Sequence, residues 1–138
     1  MTIEQIKDIA ENLDCGFRCF IHTDTKGGKF IPDLDKHPDM DSDAWDADNE
    51  EIENNFGDYI EIKAMDSRDF FSVMADFTDT VDNEEIKKQL GQSLDRPKPF
   101  QNFKFTVDNS GVYRERWFKF KGERLIDWVD HQLKESEL

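Results

Sequence analysis

Cysteine occurs only twice in 138 residues, at Cys15 and Cys19. Two thiols so close together cannot staple a domain of this length, which excludes a secreted disulfide scaffold. Long apolar runs are missing too. The longest unbroken stretches are two or three residues, against the roughly 20 that a membrane helix needs. The opening MTIEQIKDIAENLD has no basic start followed by an apolar stretch, so no secretory signal is expected. A cytoplasmic setting with reduced thiols and no membrane association follows. Basic residues are scarce, 18 against 32 acids, for a net charge of −14 that opposes long-range approach to nucleic acid and anionic lipid.

What basic charge there is lies in one place. Residues 1–86 carry 24 acids against 7 bases, residues 87–124 carry 10 bases against 4 acids, and the remainder is acidic again. The basic stretch also holds Phe100, Phe103, Phe105, Tyr113, Trp117, Phe118 and Phe120. Hydrophobic residues make up only 36% of the chain, but twelve Phe and three Trp offset this. Each buried aromatic removes about 150–250 Å² from water. A chain of this length forms a core without staples, and one domain over 1–138 is expected.

The apolar spacing places a helix at Thr2–Leu13, with Ile3, Ile6, Ala10 and Leu13 inward and Thr2–Gln5 as a capping box. Phe17–His22 and Lys29–Ile31 read as a hairpin around DTKGG, with Phe17, Cys19 and Ile21 on one face. Residues 33–58 hold eleven acids and a single Lys36 and read as a semi-ordered acidic segment. A short helix near Asp46–Asn55 faces Ile52 and Phe56 inward. Tyr59–Ile62 adds a third strand. Helices follow at Ser67–Val81, from Asn83 onward, around Phe100–Val107, and from Val112 to Leu133 with a weak point at Gly122. Phe70, Met74, Phe77, Leu90, Trp117 and Trp128 are expected to share one core. The fold class is α+β: a small antiparallel sheet, hairpin 17–31 plus strand 59–62, packed with a mainly helical C-terminal half.

YIEI, FFSVMADF, QLGQSL, FQNFK and RERWFKFKGERLIDWV, in that order, resemble a bacterial family of small acidic cytoplasmic proteins, the uncharacterised protein family UPF0158. Phe100, Phe103 and Lys104, with Trp117, Phe118 and Phe120, are its most specific residues. The resemblance implies the architecture and a bacterial setting, and carries over no activity, cofactor or catalytic residue.

Four constellations bear on chemistry. Asp39, Asp41 and Asp43, with Glu50, have calcium-loop spacing. Ala44 stands where the loop needs Gly, and Asp46 where it needs an apolar residue, so the triplet reads as a solvated acidic loop that holds no metal at ordinary calcium levels. Cys15, Cys19 and His22 match no standard zinc spacing, and Cys19 fits the core. No hydrolase or nucleotide-binding motif is present, and His22, His37 and His131 stand in unrelated contexts. An enzyme reading therefore requires a cleft that gathers carboxylates with a His, and no cofactor is expected. The fourth is Lys98, Lys104, Arg114, Arg116, Lys119, Lys121 and Arg124, interleaved with rings. Single-strand binders pair cations with phosphates and rings with bases; helical spacing equally makes the rings a core stripe and the cations its wet side. The reading that follows is a non-catalytic protein that binds another macromolecule. The expected partner is a protein, engaged by the acidic face. The alternative is single-stranded nucleic acid bound by 98–124, which the net charge disfavours, and the third is a hydrolytic enzyme.

Overall fold

Helix α1 (Ile3–Asp14) begins where its capping box places it. The Thr2 hydroxyl accepts from the Gln5 N–H at 3.2 Å, and Gln5 Oε1 accepts from the Thr2 N–H at 2.8 Å. The structure is a computed structural model that describes residues 1–138 apart from the side chain of Ser42. Ile6, Ile9, Ala10 and Leu13 are buried. Ile3, expected inside, is 56% exposed, because the i, i+3, i+4, i+7 stripe starts at Ile6 and Ile9 completes it. Gly16 ends the helix at φ +84°, and a Cβ there would lie 2.7 Å from His37 Nε2, whose ring holds the Cys15 carbonyl at 2.7 Å.

Strands β1 (Phe17–His22), β2 (Gly28–Pro32) and β3 (Tyr59–Ile62) form an antiparallel sheet in the order β2-β1-β3. Cys19 stands opposite Phe30 on one side and Ile62 on the other. The simple alternation expected for β1 fails, since Phe20 is buried as well as Cys19 and Ile21. The second face is covered by α2 (Asp46–Asn54), whose Ile52 clusters with Phe20 and Ile31 beside Trp45 and Tyr59. In the hairpin turn the left-handed residue is Lys26 at φ 63°, not a glycine. The acidic segment 33–58 contains α2 between two short 3₁₀ turns, Ser42–Trp45 and Phe56–Asp58. Phe56 is 74% exposed rather than inward, because α2 ends at Asn54, before the stripe reaches it.

The chain divides into two compact units. One comprises Met1–Ala64 with Leu125–Leu138, the other Met65–Arg124. In the second, the Asp66–Asp69 capping box starts α3 (Ser67–Thr80), and Asn83 Oδ1 accepts from the Ile86 N–H at 3.1 Å to start α4 (Glu84–Leu94). Pro99 opens α5 (Pro99–Asp108), where its missing N–H removes nothing from the helix ladder. Gly111, at φ 68°, turns the chain into α6 (Val112–Glu135), which runs through Gly122 without a break. The core of this unit is Val73, Met74, Phe77, Val81, Leu90, Phe103, Val107, Tyr113 and Trp117, with Phe70 packed against it. Trp128 does not join it. Eleven residues beyond Trp117, it lies about 16 Å farther along α6. It belongs to the first unit, where its indole N–H donates to the Lys63 carbonyl at 2.7 Å. Gln132 closes the same backbone: its Oε1 accepts from the Lys63 N–H at 2.8 Å, and its Nε2 donates to the Lys63 carbonyl at 2.9 Å. The fold is α+β.

Two phenylalanines on α5 give a direct check. Phe103 is 1% exposed and Phe105 72% exposed. Phe103→Ala should cost about 3–5 kcal/mol in denaturant melts, while Phe105→Ala should stay within about 0.5 kcal/mol.

Candidate functional site

The basic, aromatic segment lies in the second unit, and the structure separates its rings from its cations. Trp117 has its ring centroid 5.0 Å from Phe103, 5.3 Å from Phe77 and 6.1 Å from Phe70, mostly edge to face. Phe103, Tyr113 and Trp117 are buried, and Phe120 is half-buried against Phe77. The rings left in the open are Phe105, Phe118 at 40% and Phe100 at 38%.

The cations are largely engaged within the same unit. Arg114 pairs with Asp108 at 3.4 Å and lies over the Phe118 ring at 4.8 Å. Arg116 reaches Asp82 at 3.5 Å and lies over Tyr113, and Arg124 pairs with Asp76 at 2.7 Å. Lys121 sits 5.5 Å from the Phe118 centroid. Lys98 stands at the start of α5 with φ 58°, Lys104 is exposed on α5, and Lys119 is exposed on α6. Counted by unit, residues 65–124 hold eleven acids and eleven bases, so this unit is neutral. The whole −14 resides in the other one.

The sequence offered no spacing from which the Asp82–Tyr113 pair could be read, for the partners are 31 residues apart. The Tyr113 hydroxyl donates to Asp82 in a short hydrogen bond. That bond, followed by burial and the adjacent carboxylate charge, raises the Tyr113 phenol above its ordinary range. The same bond, aided by Arg116, lowers Asp82. Arg116 and Lys119 border a cleft of about 270 Å³ whose apolar wall is Phe77, Val81 and Phe120.

The first unit carries a second cleft, also about 270 Å³, between β2, the following turn and α2. Asp33, Asp35, Leu34 and Trp45 line it beside Arg18. Asp33 shapes the turn, its Oδ1 accepting from the Asp35 N–H at 3.0 Å. Arg18 is committed to Glu61 by two bonds of 3.0 and 3.1 Å, and Lys63 reaches the same carboxylate. Burial raises the Glu61 pKa, but these bonds outweigh it and the net direction is down. Of the carboxylates in 33–58, Asp48 alone among the described residues has a Lys or Arg partner within 4 Å, Lys29 at 3.2 Å.

Asp39, Asp41 and Asp43 are exposed, and Asp41 caps the first 3₁₀ turn by accepting from the Asp43 N–H at 3.0 Å. Among the described residues no group of three or more His, Cys, Asp and Glu is arranged to hold a metal. Cys15, Cys19 and His22 have separate roles. Cys15 caps α1, Cys19 lies fully buried against the Ile9 carbonyl, and His22 Nδ1 accepts from the N–H groups of Asp24 and Thr25. His37 holds the Cys15 carbonyl, and His131 faces Glu135 at 3.0 Å. Among the described residues no helix is long and apolar enough to cross a membrane.

These features define a small α+β protein with one acidic and one neutral unit. The chain belongs to the uncharacterised protein family UPF0158, whose profile matches residues 2–138. A Pseudomonas aeruginosa protein named as a UPF0158 protein is 25% identical over 139 residues, which covers all of this chain and 85% of that relative. No solved structure matches the chain.

Burial pushes the Cys19 thiol up to about 12, while Cys15 is exposed. A thiol reagent at neutral pH should therefore modify Cys15 alone, and reach Cys19 only in denaturant. For the pair in the second unit, the sign of the pH dependence is set by the raised Tyr113. Its stabilisation is complete below the ordinary phenol pKa and is lost as pH rises through the folded value. Asp82→Asn should bring the Tyr113 titration, read by phenolate absorbance, back toward the ordinary range and leave Tyr59 in place.

Proposed function

We propose that this is a non-catalytic cytoplasmic protein that binds another protein through the acidic face of its first unit. The observation that carries this reading is the distribution of unneutralised charge. The second unit is neutral and most of its arginines are paired, whereas two of the eleven carboxylates of 33–58, Asp33 and Asp35, line a cleft, and among the described residues only Asp48 of that segment has a Lys or Arg within 4 Å. A face of this kind speeds encounter with a basic surface and repels acidic ones. Leu34, at 48% exposure, and the Trp45 ring supply apolar contact at the same place. A lysine or arginine side chain of the partner would find carboxylates and an indole together there.

Single-strand binding by 98–124 has less support, because the largest rings that would stack on bases fill the core and the arginines are held by Asp76, Asp82 and Asp108. The test is affinity capture from a bacterial lysate at low and physiological salt, with wild-type protein and Asp35→Lys. A discrete, basic protein partner that is retained by the wild type, weakened by salt and lost with Asp35→Lys is the expected result. A partner set indifferent to Asp35→Lys would overturn the acidic-face reading. Labelled oligonucleotides that bind with sub-micromolar affinity at physiological salt would replace it with the nucleic-acid one.

A further inference from the structure

The cleft of the second unit plays no part in that reading, yet its lining is specific. One wall is apolar: Phe77 and Val81 are buried, and Phe120 is half-buried. The other is an edge of α6 carrying Arg116, Lys119 and Glu123. These stand at i, i+3 and i+7, so the two cations are neighbours and the carboxylate lies one turn beyond Lys119. The order along the edge is positive, positive, negative.

The groups differ in how far they are already used. Arg116 has one guanidinium nitrogen 3.5 Å from Asp82, but that carboxylate also takes the Tyr113 hydroxyl. Arg116 is thereby fixed over the Tyr113 ring and still 56% exposed in its side chain. Lys119 and Glu123 are four residues apart on one helix edge, and among the described residues neither lies within 4 Å of an opposite charge. A ligand that is only anionic would meet Glu123 as a repulsive neighbour. One that is only cationic would meet Arg116 and Lys119. A molecule with a carboxylate and an ammonium on one carbon meets each with its opposite, while an apolar side chain covers Phe77, Val81 and Phe120. Such a zwitterion carries no net charge, so the −14 of the chain does not oppose its approach. The volume, about 270 Å³, lies just below the usual range for ligand sites and is enough for a molecule the size of one amino acid.

We propose that this cleft binds a free apolar α-amino acid, its carboxylate held by Arg116 and Lys119, its ammonium by Glu123, and its side chain against Phe77, Val81 and Phe120. In an apolar peptide the two end charges do not share a carbon, so the proposal is for the free amino acid.

The experiment uses the full chain and ligands that differ by one group: L-leucine, 4-methylpentanoate without the ammonium, and 3-methylbutylamine without the carboxylate. Titration calorimetry, checked by saturation-transfer NMR, reads the affinities. L-Leucine is expected to bind in the micromolar to millimolar range and each truncated analogue at least tenfold more weakly. Lys119→Gln and Glu123→Gln should each weaken leucine by a similar factor. Both side chains are exposed, and thermal melts of the variants verify the fold. Failure of leucine to bind at millimolar concentration overturns the proposal. So does 4-methylpentanoate binding as well as leucine, since Glu123 would then read nothing, or leucine binding that Lys119→Gln leaves unchanged.

Discussion

The second unit is organised by the burial of Trp117 against the rings of Phe70, Phe77 and Phe103. Those rings come from α3 and α5 and the indole from α6, so one side chain joins three of the four helical segments. Edge-to-face contacts add about 0.5–1.5 kcal/mol per pair to the area they remove from water. A chain with few aliphatic residues needs that density. The same burial takes the largest rings out of reach of any ligand. What reads as a stacking platform in one dimension is, in three, a core with its charged side in water.

The charge sorting also changes meaning once the chain is folded. Along the sequence it looks like an acidic body with a basic segment. By unit, the basic segment meets Asp76, Asp82 and Asp108 and is cancelled, and the excess charge belongs wholly to the other unit. Local ion pairs of this kind are worth little individually when exposed. Their effect is on the field of the molecule, since they leave one acidic surface in place of two opposed ones.

Much of the fold was legible because its signals are local. The Thr2–Gln5 box, Asn83 and the periodic stripes of α3 and α6 each act within a few residues, and the elements appear where they point. The misses come from tertiary packing. Phe20 is buried because α2 covers the second face of the sheet. Phe56 is exposed because its helix ends at Asn54, two residues before it. Trp128 leaves the expected core because a helix of 24 residues is longer than one core is wide. The clefts were illegible for the same reason, as Val81 and Arg116, or Asp33 and Trp45, come to line one cleft only through the fold, with no motif spacing.

The two units differ in how their residues are ordered along the chain. The second is contiguous, but the first lacks its closing helix until residues 125–138 exist, because Lys63 is held by Trp128 and Gln132. During synthesis the usual order, earlier segments first, is therefore inverted. At about 5–20 residues per second, the last residue of the first unit follows Ala64 by roughly 4–15 s, and the whole sequence of the second unit is made within that interval.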